Sequence, residues 1–274
     1  AKYKKFYDLN EKLECNLEKD KIYIKFCETK EDKNLWHTFV HLTTSLPYRG
    51  AVGRQIKLFI YCKNHIIGMV HLTSPLAQLK LRDKYLKWTH EEKWKQKKIN
   101  SIYNIETCVP TRKYAQYLTG KLLIYCIFSN EIKEYIKNKY GEEAIGFETT
   151  SLYGKSSMYN RLPFFKYLGL TEGNSAMYIS DDNWKKVLNE YYEVYPNTKT
   201  NRLAPVKFQI VDKLSKYYKK TNRKFPYDYK KVEYKRGIYF GYLENKNLNS
   251  QIDTWKKRWF LKRKEKIKNE TRTN

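Results

Sequence analysis

The sequence predicts an α/β fold: a mixed sheet with flanking helices, followed by a basic, aromatic-rich C-terminal extension. Three observations carry this. "IKLFIYC" (56–62) and "IIGMVHLTS" (66–74) are apolar runs of strand length on either side of the turn "KNH", the pattern of a β-hairpin. Strand-patterned and helix-patterned segments then alternate to about residue 180, which favours a sheet with helices on its faces. From about residue 200 aliphatic residues thin out and Lys and Tyr dominate, and this stretch carries about half of the net charge. The expected organisation is an N-terminal extension (1–33), a core (34–184) and a basic C-terminal extension (185–274).

The elements follow in order. "KIYIKFCET" alternates as a strand does. "KEDKNLWHTFVHLTTSLPY" reads as a helix from near Glu31 that stops before Pro47. "RGAVGRQ" is a turn, and Gly68 marks a bulge in the hairpin. "THEEKWKQKKI" reads as a charged, exposed helix, and "NSIYNIETCVP" as a strand closed by Pro110. "KYAQYLTGKLLIYCIFSNEIKEYIKNKYG" has Leu118, Leu122, Ile132 and Ile136 at helical spacing, which predicts one long helix or two ending at Gly141. "EEAIGFETTSLYG" is a strand leading into a loop. "SMYNRLPFFKYLGL" is a short helix interrupted near Pro163, and "SAMYIS" is the last strand. In the closing segment, "SQIDTWKKRWFLKRKEKIKNE", Trp255, Trp259 and Leu261 share an inward face.

Composition narrows the function. The 274 residues include 55 Lys and Arg against 29 Asp and Glu, a net charge of +26. That excess points to a polyanionic partner, nucleic acid above all. No apolar run approaches the roughly 20 residues of a membrane span, and no membrane partner is expected. The first residues lack the apolar core of an export signal. The five cysteines form no CxxC pair, so reduced thiols and a cytoplasmic location are expected. His37 and His41 share a helix face, but no Cys or carboxylate joins them, and no metal is expected.

Three stretches carry a family resemblance: "YRGAVGRQIKLFIYCKNHIIGMVHLTSPLAQLKLRDKYLKW" (48–88), "NSIYNIETCVPTRKYAQYLTGKLL" (100–123) and "GFETTSLYGKSSMYNRLPFFKYLGLTEG" (146–173). In order and spacing they resemble the DruA-like family, found in Druantia antiphage systems and in mobile elements, over about residues 34–182. The order of elements is also similar to the GNAT acyltransferase fold. There a hairpin precedes a strand that opens onto a pantetheine groove, and the next helix binds pyrophosphate. A Tyr often protonates the leaving thiolate. The resemblance implies a GNAT-like protein of a phage, mobile element or defence system. It would act on nucleic acid, DNA rather than RNA, and transfer an acyl-type group to a nucleobase amine. Acyl-CoA would be the cofactor, held by Arg112, Lys113 and Gly120, and helicase or other defence or phage proteins would be partners. The sequence departs from the family pattern at the phosphate loop: "CVPTRKYAQYLTGKLL" has no Gly-x-Gly. Two other readings stay open, a non-catalytic nucleic-acid-binding module and a structural component of a nucleoprotein or virion assembly.

Candidate site residues come from the same stretches. Arg54 and Gln55, between a glycine turn and a strand, suit phosphate or a base edge, or simply begin a solvated hairpin. Lys80, Arg82 and Trp88 are placed to hold nucleic acid. Asp83 positions or deprotonates an amine, or pairs with Arg82 to fix a loop. Glu148 ends a strand where ligand sites gather in open sheets, or caps the next turn. Tyr159 is a candidate acid. Lys256, Lys257 and Arg258 lie among tryptophans, an interleaving that suits phosphates and stacked bases.

Overall fold

The computed structural model describes residues 13–44, 51, 53–152, 154–172, 176–199, 206–232 and 235–272. The first half contains β1 (Ile22–Phe26), α1 (Lys30–Thr43), β2 (Gln55–Cys62), β3 (His65–Thr73), α2 (Lys80–Tyr85), α3 (His90–Trp94) and β4 (Ile102–Pro110). It continues through α4 (Arg112–Ala115), α5 (Thr119–Ile127), α6 (Asn130–Tyr140), β5 (Gly146–Ser151) and β6 (Lys166–Leu170). The remainder is β7 (Ala176–Tyr178), α7 (Asp181–Val194), α8 (Val206–Lys220), β8 (Lys230–Val232), β9 (Gly237–Tyr242), α9 (Leu248–Trp255) and α10 (Leu261–Arg272).

The α/β expectation holds. A seven-stranded mixed sheet runs β1-β2-β3-β4-β5-β9-β6. Its neighbours are antiparallel except β4 and β5. One face is covered by α5, which is buried along almost its whole length, together with α6 and α9. There Leu58, Val70, Leu72, Tyr103, Leu123, Phe128, Phe147 and Trp255 belong to one apolar core. On the other face α1 sets Trp36 and Val40 against Phe59 and Met69. Helix α1 starts where a Thr29 hydroxyl accepts the Asp32 N–H and acidic side chains fill the first turn, both favourable at the positive end of a helix. Pro47, the expected stop, lies outside the described residues.

Several local expectations hold as well. The β2–β3 register shifts between Ile60 and Tyr61, leaving Ile67 as the extra residue beside Gly68. Strand β4 ends at Pro110, and Gly141 caps α6 with φ of 67°.

Other expectations change. The 113–141 helix is three pieces, because Leu118 is left-handed (φ 61°) and Asn130 turns its N–H to the Lys246 carbonyl. The charged helix after Thr89 is only one turn, stopped before left-handed Lys97. Residues 156–165 form turns rather than a helix, and the chain then becomes β6. "SAMYIS" supplies β7, which pairs with β8 in a separate two-stranded sheet. The last strand of the main sheet is instead β9, whose residues Gly237–Gly241 are buried between β5 and β6. The flanking parts are thus built into the sheet: β1 pairs with β2, and β9 is an inner strand. What stands apart is residues 171–236, an excursion between β6 and β9. It has its own apolar cluster of Val187, Tyr191, Ile210, Val211 and Leu214. Within it Glu190 accepts the Tyr227 hydroxyl at 2.6 Å and that of Tyr218.

Between α9 and α10, residues Lys256–Phe260 form a π-turn. Its extra residue rotates the following helix by about 100°. Phe260 and Ile267 therefore face inward, Trp259 is half-buried, and Leu261, expected inside, is 42% exposed.

Strand β9 runs tightly against the 164–165 turn. A methyl on Gly241 would strike the Phe164 carbonyl and come within 2.7 Å of the Phe165 ring. Gly241→Ala should therefore destabilise the protein by about 1–3 kcal/mol, read as a lower urea midpoint. An unchanged midpoint would contradict the inner position of β9.

Candidate functional site

The block 74–88 is the floor of a polar site. Arg82, on the one-and-a-half-turn helix α2, is fully buried. Its Nη1 donates to Glu148 Oε2 at 2.7 Å and to the Leu76 carbonyl at 2.8 Å, and its Nε to Asp83 Oδ1 at 2.8 Å. The other Asp83 oxygen accepts from Lys93 Nζ at 2.5 Å. Glu148 Oε1 accepts the Leu76 N–H at 2.7 Å. Four alternating charges, Lys93, Asp83, Arg82 and Glu148, thus close the 74–95 segment over β5. Burial pushes the Glu148 carboxyl up, while Arg82 and the Leu76 N–H act in the opposite sense. Trp88 stands at the edge, its ring centroid 6.0 Å from the Arg82 guanidinium. The arrangement satisfies both oxygens of Glu148, which is 0% exposed. Asp83 is likewise held from two sides.

Beside this clamp the sheet forks. Strands β4 and β5 pair only over Ile102–Asn104 with Gly146–Glu148; β4 then runs six residues further and β5 three. The Thr149 hydroxyl bridges the fork by donating to the Ile105 carbonyl at 2.8 Å. Tyr159, from the turn after β5, enters on the α5 side against Phe165 and Tyr239. Burial and the neighbouring Cys108 push its hydroxyl above the ordinary range, and a bond to Thr149 opposes them.

On the opposite face a polar strip crosses the fork. Asn104 Nδ2 donates to Thr73 Oγ1 at 3.3 Å. In the β3–β4 ladder His71 faces Thr107 and Leu72 faces Ile105, so Glu106 is a bulged extra residue. Its carboxylate lies 3.8 Å from His71 Nδ1, with 32% of the side chain exposed. Burial pushes the Glu106 carboxyl up, against a Thr73 hydrogen bond and Lys57. His71 is fully buried, and burial, with Lys57 and His37 nearby, lowers its pKa to about 3. Glu106 is thus a solvent-reachable carboxylate at the fork, and sequence reasoning missed it. A lone Glu inside an apolar strand was the available signal; the bulge that turns it toward His71 depends on a partner strand.

The remaining candidates are dispersed. Arg54 pairs with Glu142, bonds the Asn100 carbonyl at 2.5 Å and lies 4.1 Å over the Tyr103 ring. Gln55 bonds the Ala51 carbonyl and the Tyr140 hydroxyl. Both fasten the hairpin to its neighbours. Lys80 is exposed and pairs with Glu172 at 3.1 Å. Lys113 lies 3.7 Å from Glu14, and Arg112 is exposed on α4. Gly120 faces Met158, 3.5 Å from where its Cβ would be. Lys256 bonds the Glu18 carbonyl, Lys257 is exposed, and Arg258 bonds the Arg161 carbonyl.

Lys121 Nζ donates to the carbonyls of Ser157, Met158 and Asn160 at 2.6, 2.9 and 3.1 Å. The 156–160 turn therefore lies across the first turn of α5, and Tyr159 sits in the fork. Among the described residues no group of three His, Cys, Asp or Glu could hold a metal, and no helix is long and apolar enough to cross a membrane.

Fold and site together define a mixed α/β protein with a forked central sheet, a buried charge clamp beside the fork and a basic C-terminal helix. The Druantia protein DruA family model matches residues 3–217, and the chain belongs to that family. It is 26% identical over 160 residues to the Druantia protein DruA of Escherichia coli (strain UMEA 4076-1), covering 51% of this chain and 39% of that protein. The alignment thus spans well under half the length of that relative.

Two predictions follow from the clamp and the strip. Arg82→Met leaves Glu148 buried and uncompensated and should cost about 3–5 kcal/mol in chemical denaturation. Arg82→Met combined with Glu148→Leu should cost less than the single change. His71 carries a lowered folded value against the usual 6.5. The unfolded chain therefore binds the proton first, and stability is complete above pH 6.5 and lost as pH falls toward 3, by about 1.4 kcal/mol per pH unit. Between pH 6.5 and 4.5, His71→Phe should show a shallower loss of stability than the wild type.

Proposed function

We propose that this chain is a nucleic-acid-binding component of an antiphage defence system, on a GNAT-like sheet, working with other proteins of that system. The observation that carries the nucleic-acid part is the charge of +26. On the closing helix, Lys257, Arg258 and Lys262 are exposed. Free cations displaced from a polyanion give the binding its driving force. Family membership supports the defence part. The hairpin β2–β3, the fork between β4 and β5 and the following helix α5 support the GNAT-like part. DNA is the expected polyanion.

A second reading, acyl-type transfer to a base amine, is favoured by Glu106. Its raised carboxyl at the fork suits a proton acceptor, while Asp83 and Glu148 serve as positioning residues through Arg82.

The test is binding of labelled single-stranded DNA, duplex DNA and RNA over a salt series. Log affinity should fall linearly with log salt, with a slope of magnitude about 0.7–0.9 per phosphate contacted. Affinity that ignores salt, or no binding at low salt, defeats the proposal. A thermal shift with millimolar acetyl-CoA separates the readings: binding without a shift supports the module, and a clear shift supports the transferase.

A further inference from the structure

Helix α5, the turn after β5 and the π-turn before α10 bring three cations to one indole. Lys121 Nζ lies 4.4 Å from the Trp259 ring centroid, Arg161 Cζ 5.4 Å and Arg258 Cζ 5.5 Å. Arg258 Nη2 also donates to the Arg161 carbonyl at 3.1 Å. Arg161 has φ of 65°, a region costly for a residue with a side chain. None of the three cations has an ion-pair partner among the described residues. Lys121 is buried. Burial, with Arg161 and Arg258 beside it, brings its pKa down to about 8.

Like charges gathered this closely repel one another, and ring and carbonyl contacts offset only part of that. A bound anion would remove the repulsion. The two guanidiniums are exposed, and their planar forks match phosphate oxygens. The cation–π contacts orient them. Exposed Lys257 and Lys262 continue the positive charge along the same helix. At about 1.5 Å per residue, a track from residue 257 to 262 outreaches a single phosphate group.

We infer that Arg161, Arg258, Lys121 and Trp259 form a phosphate site that anchors a nucleic-acid strand, the strand then following the closing helix. This rests on the nucleic-acid reading above and deepens it by naming the site. Arg161 and Arg258 hold phosphate oxygens, buried Lys121 adds field from below, and Trp259 keeps the guanidiniums in place. The helix part of the site lies beyond residues 3–217, the span of the family match.

The experiment uses the full chain and a labelled single-stranded oligonucleotide, with wild type, Arg161→Gln, Arg258→Gln, Trp259→Ala and the control Lys185→Gln, an exposed cation on α7. Arg161→Gln and Arg258→Gln should each weaken binding about five- to tenfold and flatten the salt slope by about one. Lys185→Gln should change affinity less than twofold, and thermal melting confirms that each variant is folded. Arg258→Lys, which keeps the charge without the fork, should recover only part of the loss. Wild-type binding left unchanged by both arginine substitutions overturns this site while the nucleic-acid function stands. No binding by the wild type overturns both. Inorganic phosphate is the competing probe. Displacement of the strand only well above its binding concentration supports a strand site, and displacement at equal concentration overturns it.

Discussion

Glu148 is a charge that the fold must satisfy without water. Its two partners, the Leu76 N–H and the Arg82 guanidinium, both lie in the short segment after β3. That segment has little helix of its own, and α2 is six residues long. It is ordered by what it must reach. Arg82 in turn needs Asp83, and Asp83 is held by Lys93, so the order extends to α3. A buried pair of this kind adds little to net stability and strongly disfavours arrangements that leave one partner alone. Glu148 is also the last β5 residue in register with β4. The cover of the sheet and the start of the fork are therefore set at one position.

The sequence was most legible where the determinant is local. Gly141 ends a helix by its own backbone, Pro110 ends a strand by lacking an N–H, and the hairpin declares itself through its turn and period. The pairing of Arg82 with Asp83 was legible as one of two readings, though not that Glu148, 66 residues away, would also neutralise Arg82. Legibility failed where a distant partner decides. "GIYFGY" reads as part of a basic tail until β5 and β6 are in place to bury it. Glu106 turns toward His71 only because β3 and β4 differ by a residue in register. Leu261 fits a regular helix face, and one extra residue in the π-turn moves it to solvent. Charge told the class of partner, while the cations that converge on Trp259 come from three separate parts of the chain.

Several acidic residues are used as ties to single cations, near and far along the chain. Glu18 holds Lys264, Glu92 holds Lys98, Asp212 holds Lys231 and Glu142 holds Arg54. The net positive charge is therefore concentrated on cations without such ties. The 156–161 turn connects the two notable regions directly. Tyr159 sits in the fork and Arg161 beside Trp259, with Lys121 bonded to the carbonyls of Ser157, Met158 and Asn160 in the same turn. A shift of that turn at one end must be felt two residues away at the other.

The late arrival of β9 also gives the protein a history during synthesis. Strand β9 begins 86 residues after β5 ends (151 to 237) and 67 after β6 ends (170 to 237). Until residue 242 has left the ribosome, each presents unpaired backbone groups that another chain could match. The intervening excursion, with its own apolar cluster, delays that closure and occupies the waiting chain with structure of its own. A message cut short before β9 would thus leave β5 as the open edge of a five-stranded sheet and β6 without a strand to pair with.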